Sequence, residues 1–197
     1  MGVTGVVLAA GAGTRLGGDV PKPLVPFRGR PLVAWPLAAL REGGVQDVVV
    51  VLGARAEEVR AGLDLGGADV AVCAEWEEGL SASLRCGVAA AAQRGAEAVI
   101  VVLGDQPLLR GEAVARVVEA RAPAEALAVR ATYGGVPAHP TVIESALFTA
   151  VAELRGDTGA RELLRGAAFV ACDGLGSPED VDTPEALARM DRGDGLA

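Results

Sequence analysis

Residues able to handle a phosphate crowd into the stretch Thr4 to Pro26, TGVVLAAGAGTRLGGDVPKPLVP. Gly11, Gly13, Gly17 and Gly18 carry no Cβ, so their backbone N–H groups can turn toward an anion and let phosphate oxygens come close. Arg15 and Lys22 add positive charge to the same segment. Far along the chain, Asp105 follows an apolar run and precedes Gln106 and Pro107, while Asp180 and Asp182 stand just ahead of Thr183 and Pro184. A phosphate-bound Mg²⁺ takes one or two protein carboxylates and leaves its remaining positions to water and phosphate oxygens. Asp105 fits that role. The aspartates near 180 fit either a second metal ligand or the cap of the following helix.

Two better-known glycine loops are excluded by counting. A dinucleotide fingerprint requires GxGxxG, but after Gly11 and Gly13 the third position is Leu16, and Gly17 comes one residue late. A P-loop requires GxxxxGK; Gly13 to Gly18 has the spacing, yet Asp19 stands where the lysine belongs. What remains is a glycine loop with one arginine and a lysine nine residues after Gly13.

These residues need elements to position them. Val6 to Ala10 reads as a buried strand running into the loop. Pro31 to Glu42 has helical periodicity and stops at Gly43 and Gly44; Pro36 is tolerated only in a first turn, which moves the start toward Trp35. Asp47 to Leu52 is a second strand, Ala56 to Leu63 a short helix and Val70 to Cys73 a third strand. This βαβαβ order predicts a doubly wound, mostly parallel sheet. Such sheets bind nucleotides beyond the carboxyl ends of their strands.

The fourth strand, Ala98 to Leu103, delivers Asp105 to that same edge. Between them, an alanine-rich helix follows Gly79; Ser81 and Ser83 suit either its cap or the edge of a polar ligand. Downstream, the pattern predicts a helix over Val114 to Ala122, a strand over Ala126 to Thr132, and a tight turn in YGGVPAHP before a strand around Val142. A helix over Ser145 to Leu154, a cap at Asp157 or Thr158, a strand at Phe169 to Cys172 and a helix capped by Thr183 complete the chain. His139 is the only histidine; a lone histidine before proline is more often structural than catalytic.

At 197 residues the chain is read as one domain with a core built from Val, Leu and Ala, since aromatic residues make up only 3%. A formal net charge of -8 disfavours nucleic acid and anionic membranes as partners. No apolar span approaches the roughly 18 residues of a membrane helix, and the first strand begins without a signal peptide, so a cytoplasmic location is expected. Cys73, Cys86 and Cys172 are far apart, odd in number and without CxxC pairing, which argues against a disulfide framework or a zinc site.

Taken together, LAAGAGTRLGG with PKPLVP, GLSASLRCGV, VVLGDQPLL, GVPAHP, LRGDTGARELL and DVDTPEAL resemble the molybdenum cofactor cytidylyltransferases and related molybdopterin nucleotidyltransferases. The resemblance covers nearly the whole chain. It implies a single Rossmann-like domain of the nucleotidyltransferase, glycosyltransferase-A-like type over residues 1–197, with a nucleotide-binding half over 1–110 and an acceptor-binding half over 111–197.

By the same resemblance, Leu8, Ala9, Ala10, Gly11, Gly13, Arg15 and Lys22 hold the nucleotide, and Ser81 and Ser83 lie near its base and ribose. Arg15, Lys22 and Asp105 are the catalytic set; Asp105 and Asp182 ligate Mg²⁺; His139, Gly156, Asp157 and Gly159 line the acceptor pocket. CTP is favoured over GTP because LAAG, whose third residue here is Ala10, accompanies cytidine in that family, whereas LAGG accompanies guanosine. The implied partners are a molybdopterin-type phosphorylated acceptor and a recipient molybdoenzyme or its chaperone. Leu16 stands where that family often has Met, a mild change, and the segment GGDVPKPL is longer than usual before the lysine, closer to sugar-phosphate nucleotidyltransferases, which form an alternative. A chaperone-like protein that binds nucleotide or pterin without turnover is the non-enzymatic alternative.

Overall fold

The computed structural model describes residues 2–121, 126–156 and 163–193. Its centre is β1 (Val3–Ala9), flanked by β4 (Val48–Leu52) on one side and β6 (Ala98–Leu103) on the other, both parallel to it. β5 (Asp69–Val72) extends the first side. On the second side, β8 (Val136–Glu144) pairs antiparallel with β6 and with β7 (Ala128–Tyr133), and β9 (Ala168–Ala171) lies parallel to β7. The sheet order β5-β4-β1-β6-β8-β7-β9 reverses direction between β1 and β6. That gap is the topological switch point, where ligands of doubly wound sheets bind. A separate small hairpin joins β2 (Pro26–Phe27) and β3 (Arg30–Pro31).

The valine runs explain the layering. Successive side chains of a strand point to opposite faces. Val7, Val50 and Val102 therefore enter a core with α1 (Ala34–Glu42), α2 (Ala56–Ala61) and α4 (Gly111–Glu119). Val6, Val51 and Val101 enter a second core with α3 (Leu80–Gln93) and α5 (Phe148–Ala152). Strands buried on both faces read as unbroken apolar runs, as β4 does. A third, smaller core of Leu16, Phe27, Leu32, Leu108, Val181 and Met190 sits at the carboxyl edge; it joins the glycine loop to the last helix, α6 (Pro184–Asp191). No helix among the described residues is long and apolar enough to cross a membrane.

The expected α/β class and mostly parallel sheet hold, and several details differ. α1 begins at Ala34, which puts Pro36 in the first turn where its missing N–H costs nothing. The tight turn in YGGVPAHP is confined to Gly134 and Gly135, and the strand starts at Val136, so His139 is a strand residue. Ser81 and Ser83 do not cap α3: its cap is Gly79, and both serines lie inside the helix. The expectation of no disulfide is overturned, because Cys73, which follows β5, is bonded to Cys86 on α3. Their separation in sequence hid a contact that only the packing of α3 over the sheet creates. Thr183 does cap α6, accepting from the Ala186 N–H at 3.2 Å, with Pro184 in the first helical position. The cap expected at Asp157 or Thr158 lies outside the described residues.

Candidate active site

The glycine loop leaves the end of β1 and is pinned in its middle. Leu16 donates its N–H to the Gly13 carbonyl at 3.0 Å and buries its side chain in the third core. Gly13 is required twice over. It has φ +63°, and a Cβ there would meet the Lys22 Cβ at 2.5 Å. Lys22 opens a single 3₁₀ turn, Lys22–Leu24, with Pro23 buried behind it, so its side chain lies along the loop and is only 13% exposed.

Asp105 comes from the opposite bank, two residues beyond β6, where the Gly104 N–H still continues the ladder to the Leu8 carbonyl at 2.9 Å. Asp182 is brought in by a zipper of contacts along the same segment. Ser177 donates to the Leu108 carbonyl at 3.1 Å, and Val181 donates to the Asp105 carbonyl at 2.9 Å. Gln106, almost wholly buried, donates to the Pro178 carbonyl at 2.7 Å and to Asp180 at 2.8 Å. Asp180 is thus turned toward Gln106; burial, with Asp105 and Asp182 nearby, raises its carboxyl above the usual range.

The result is a four-residue ion network. Lys22 Nζ donates to Asp105 Oδ2 and, at 2.9 Å, to Asp182 Oδ1; Arg15 Nη2 lies 3.1 Å from Asp182 Oδ2. Burial alone would lower the Lys22 pKa, but the two carboxylates outweigh it and hold the amine above its ordinary value. Burial would likewise raise Asp182, yet Lys22 and Arg15 hold it below the usual carboxylate range. Two carboxylates converging on one ammonium mark a position where a cation is stable. The donor set fits a hard divalent ion, which takes carboxylate oxygens and shares the rest of its shell with phosphate and water.

Two clefts meet here. One, of about 280 Å³, is lined by Leu8, Ala9, Gly11, Gly13, Thr14, Arg15, Lys22, Pro23, Gly104, Asp105 and Asp182. The other, of about 230 Å³, shares Leu8, Gly11 and Asp105 and adds Ala10, Trp76, Gly79, Leu80, Ser83 and Leu103. The nucleotide-binding residues expected from sequence therefore line these clefts, Ser81 excepted. The helical register turns Ser81 away; it is 1% exposed and donates to the Gly156 carbonyl. Gly156 is thereby occupied in a structural bond, and Asp157 and Gly159 lie outside the described residues. Thr14, Gly79, Leu80, Leu103, Gly104 and Trp76 also line the clefts without having been expected there, and Pro23, read from sequence only as part of PKPL, joins them. Thr14 and Pro23 adjoin residues singled out for charge, whereas Trp76 carries no signal except that it is one of two tryptophans.

His139 lines neither cleft. Its Nδ1 lies 3.2 Å from the Val101 carbonyl, an acceptor, so this nitrogen carries the proton. Burial, reinforced by Arg130 and opposed by that hydrogen bond and Asp105, pushes its pKa down to about 4. With the folded value below the unfolded one, near 6.5, the neutral ring's stabilisation is complete above about pH 6.5 and is lost as the pH falls toward 4. His139→Gln is expected to flatten this acid limb by about 2 kcal/mol between pH 7 and pH 4.5. Urea unfolding of both proteins across that range checks it; parallel curves would mean that His139 does not titrate on unfolding.

A glycine loop at the switch point, faced by paired carboxylates from two other segments, defines a nucleotidyltransferase-type enzyme. The MobA-like NTP transferase domain profile matches residues 5–173, and the chain belongs to that family. It is 38% identical to the nicotine blue oxidoreductase of Paenarthrobacter nicotinovorans over 95% of this chain and 96% of that protein. Among solved structures it is similar to Rv0371c of Mycobacterium tuberculosis H37Rv, with 33% identity, a TM-score of 0.84 and 97% of each chain covered. Rv0371c has also been solved in complex with manganese, and that structure matches with a TM-score of 0.80 and 32% identity over 98% of this chain and 99% of that one. The bifunctional protein GlmU of Pelobacter propionicus is 43% identical over 55% of this chain, a match that spans only 24% of its own length.

Proposed function

We propose that this protein is a Mg²⁺-dependent nucleotidyltransferase that moves CMP from CTP onto the terminal phosphate of a molybdopterin-type acceptor and releases pyrophosphate. The observation that carries this reading is the convergence of Asp105 and Asp182 on one cationic position at the mouth of the glycine loop. An acceptor phosphate oxygen attacks the α-phosphorus in line, and the bond to the leaving pyrophosphate breaks. A phosphate monoester is already anionic at neutral pH, so no side chain has to act as general base. The work left to the protein is to hold two mutually repelling anions in register. Backbone N–H groups of the glycine loop bind the phosphates, while Arg15 and Lys22 stabilise the charge that builds on the transferred group and the leaving group. Asp105 and Asp182 would hold the Mg²⁺, which when bound would supply Lewis-acid polarisation and neutralise phosphate charge.

Within this reading, residues 1–110 hold the nucleotide, with Ser83 and Ala10 beside the base and ribose, and residues 111–197 hold the acceptor. His139 and the segment from Gly156 through Asp157 to Gly159 belong to the acceptor side, and a molybdoenzyme or its chaperone takes the product. The GlmU match and the long GGDVPKPL segment favour one second reading, a sugar phosphate as acceptor.

The test is pyrophosphate release from CTP, GTP, ATP and UTP with Mg²⁺, each against molybdopterin and a panel of sugar 1-phosphates. Release with CTP and molybdopterin supports the assignment; release with a sugar phosphate alone moves it to the second reading. Turnover of nicotine blue is assayed alongside, because of the reaction that the name of the P. nicotinovorans relative implies. Tight nucleotide binding with no pyrophosphate from any acceptor would refute transfer and leave a binding protein.

A further inference from the structure

The smaller cleft is walled by a covalent ring. Trp76, Gly79, Leu80 and Ser83 line it, and all four lie between Cys73 and Cys86, the two cysteines of the disulfide. The cysteines are 13 residues apart in sequence, with Cα atoms 5.8 Å apart. Cys73 is buried at the end of β5, whereas Cys86 is half-buried in the second turn of α3. Inside the ring, Trp76 opens a 3₁₀ turn, Trp76–Glu78, and leans on Gly53 so closely that a Cβ there would meet its Cβ at 2.5 Å. The turn is also held by the packing of Trp76 against the second core, by an ion pair of Arg85 with Glu78 at 2.8 Å and by short-range backbone bonds within 75–82.

We propose that Cys73 and Cys86 form a reversible redox-modification site, opened by a dithiol reductant, whose state sets how tightly the adjoining cleft holds a nucleotide. This rests on the nucleotide reading of that cleft. Access selects the order of events. A thiolate of the dithiol attacks the Cys86 sulfur, forming a mixed disulfide and expelling the Cys73 thiolate, which takes up a proton. The second thiol then attacks the mixed disulfide and closes a cyclic disulfide, and Cys86 leaves as a thiol. Two electrons and two protons pass to the protein, and the reverse sequence uses a low-molecular-weight disulfide as oxidant.

Opening the ring removes the covalent tie between the end of β5 and α3 and leaves the Trp76 turn held by the Arg85–Glu78 ion pair and side-chain packing, so part of its ordering must be done at the expense of binding. A loss of preorganisation in one or two lining side chains corresponds to roughly tenfold in affinity. Cys172 is buried in the other core, outside the ring, and serves as an internal reference.

The experiment compares the protein after treatment with a cyclic disulfide and with a dithiol. Alkylation under denaturing conditions, read by mass, is expected to mark Cys172 alone in the first sample and all three cysteines in the second. Calorimetry with CTP and Mg²⁺ is expected to give a Kd about tenfold higher for the reduced protein, and Cys86→Ser is expected to bind as weakly in either treatment. The Glu75 carboxylate lies within 4.8 Å of both sulfurs, so each sample is stripped of thiophilic cations before Mg²⁺ is added. Three alkylated cysteines after oxidation, or one Kd for both forms, would overturn the proposal. Should neither form bind any nucleotide, the transferase reading falls first. Emission of Trp76 in a Trp35→Phe background then decides the redox site: a shift between the two forms sustains it and identical spectra end it.

Discussion

Replacing Asp105 with asparagine is expected to reduce pyrophosphate release by more than about a thousandfold while the protein stays folded. The size follows from what the carboxylate faces. Asp105 and Asp182 supply two negative charges to one cationic position, and among the described residues the neighbouring Asp180 is turned to Gln106 and does not stand in reserve. Asparagine keeps the shape and one carbonyl oxygen but loses the charge that a hard divalent ion requires. Stability should change little: Asp105 sits at a loop edge with its side chain 24% exposed, and Lys22 keeps Asp182 as a partner. The measurements are turnover, the affinity for Mn²⁺ by electron paramagnetic resonance, and the melting temperature. A folded variant with near-normal turnover would remove Asp105 from the chemistry.

How much of this was legible in the sequence depends on the range of the interaction that made each feature. The β1 loop was readable because its determinants are local: a valine run, glycines free to take positive φ, and two cations within the same stretch. Asp105 was readable because a buried strand ends two residues before it. Asp182 was half readable. Its place ahead of a capped helix was plain, but its approach to Lys22 depends on the bond from Val181 to the Asp105 carbonyl, a contact across 76 residues that no periodicity reports. Ser81 and Ser83 show the limit on a smaller scale. Two residues apart on a helix, they point to different sides, so one lines a cleft and the other holds Gly156. The Cys73–Cys86 bond was hidden for the same reason as Asp182: it joins a strand end to a helix that returns over the sheet. Leu16 is the subtlest case, since its burial in the third core fixes the glycine loop although the residue itself contributes no chemistry.

Lys22→Met is expected to move two observables in opposite directions, lowering turnover by roughly 10²- to 10³-fold while raising the affinity of the nucleotide-free protein for divalent cations by about tenfold. Without nucleotide, the Lys22 ammonium occupies the ground between Asp105 and Asp182, so an incoming cation must compete with a resident charge. Together with Arg15, the four side chains sum to zero; removing one cation leaves a net negative site. Methionine keeps an unbranched chain that can lie along Gly13 as the lysine stem does, which preserves the packing of the loop. With nucleotide bound, the balance reverses. Under the proposed function, phosphate oxygens would draw the ammonium away from the carboxylates, leaving Asp105 and Asp182 free to hold a divalent cation, and the same lysine would then stabilise charge on the transferred group. One residue would thus hold the site electrically neutral when empty and contribute to catalysis when filled. Titration of the free protein with Mn²⁺ and the steady-state rate at saturating nucleotide separate the two roles. If cation affinity is unchanged while turnover falls, Lys22 acts only on the phosphates. If both fall together, its chief role is to keep the glycine loop in place.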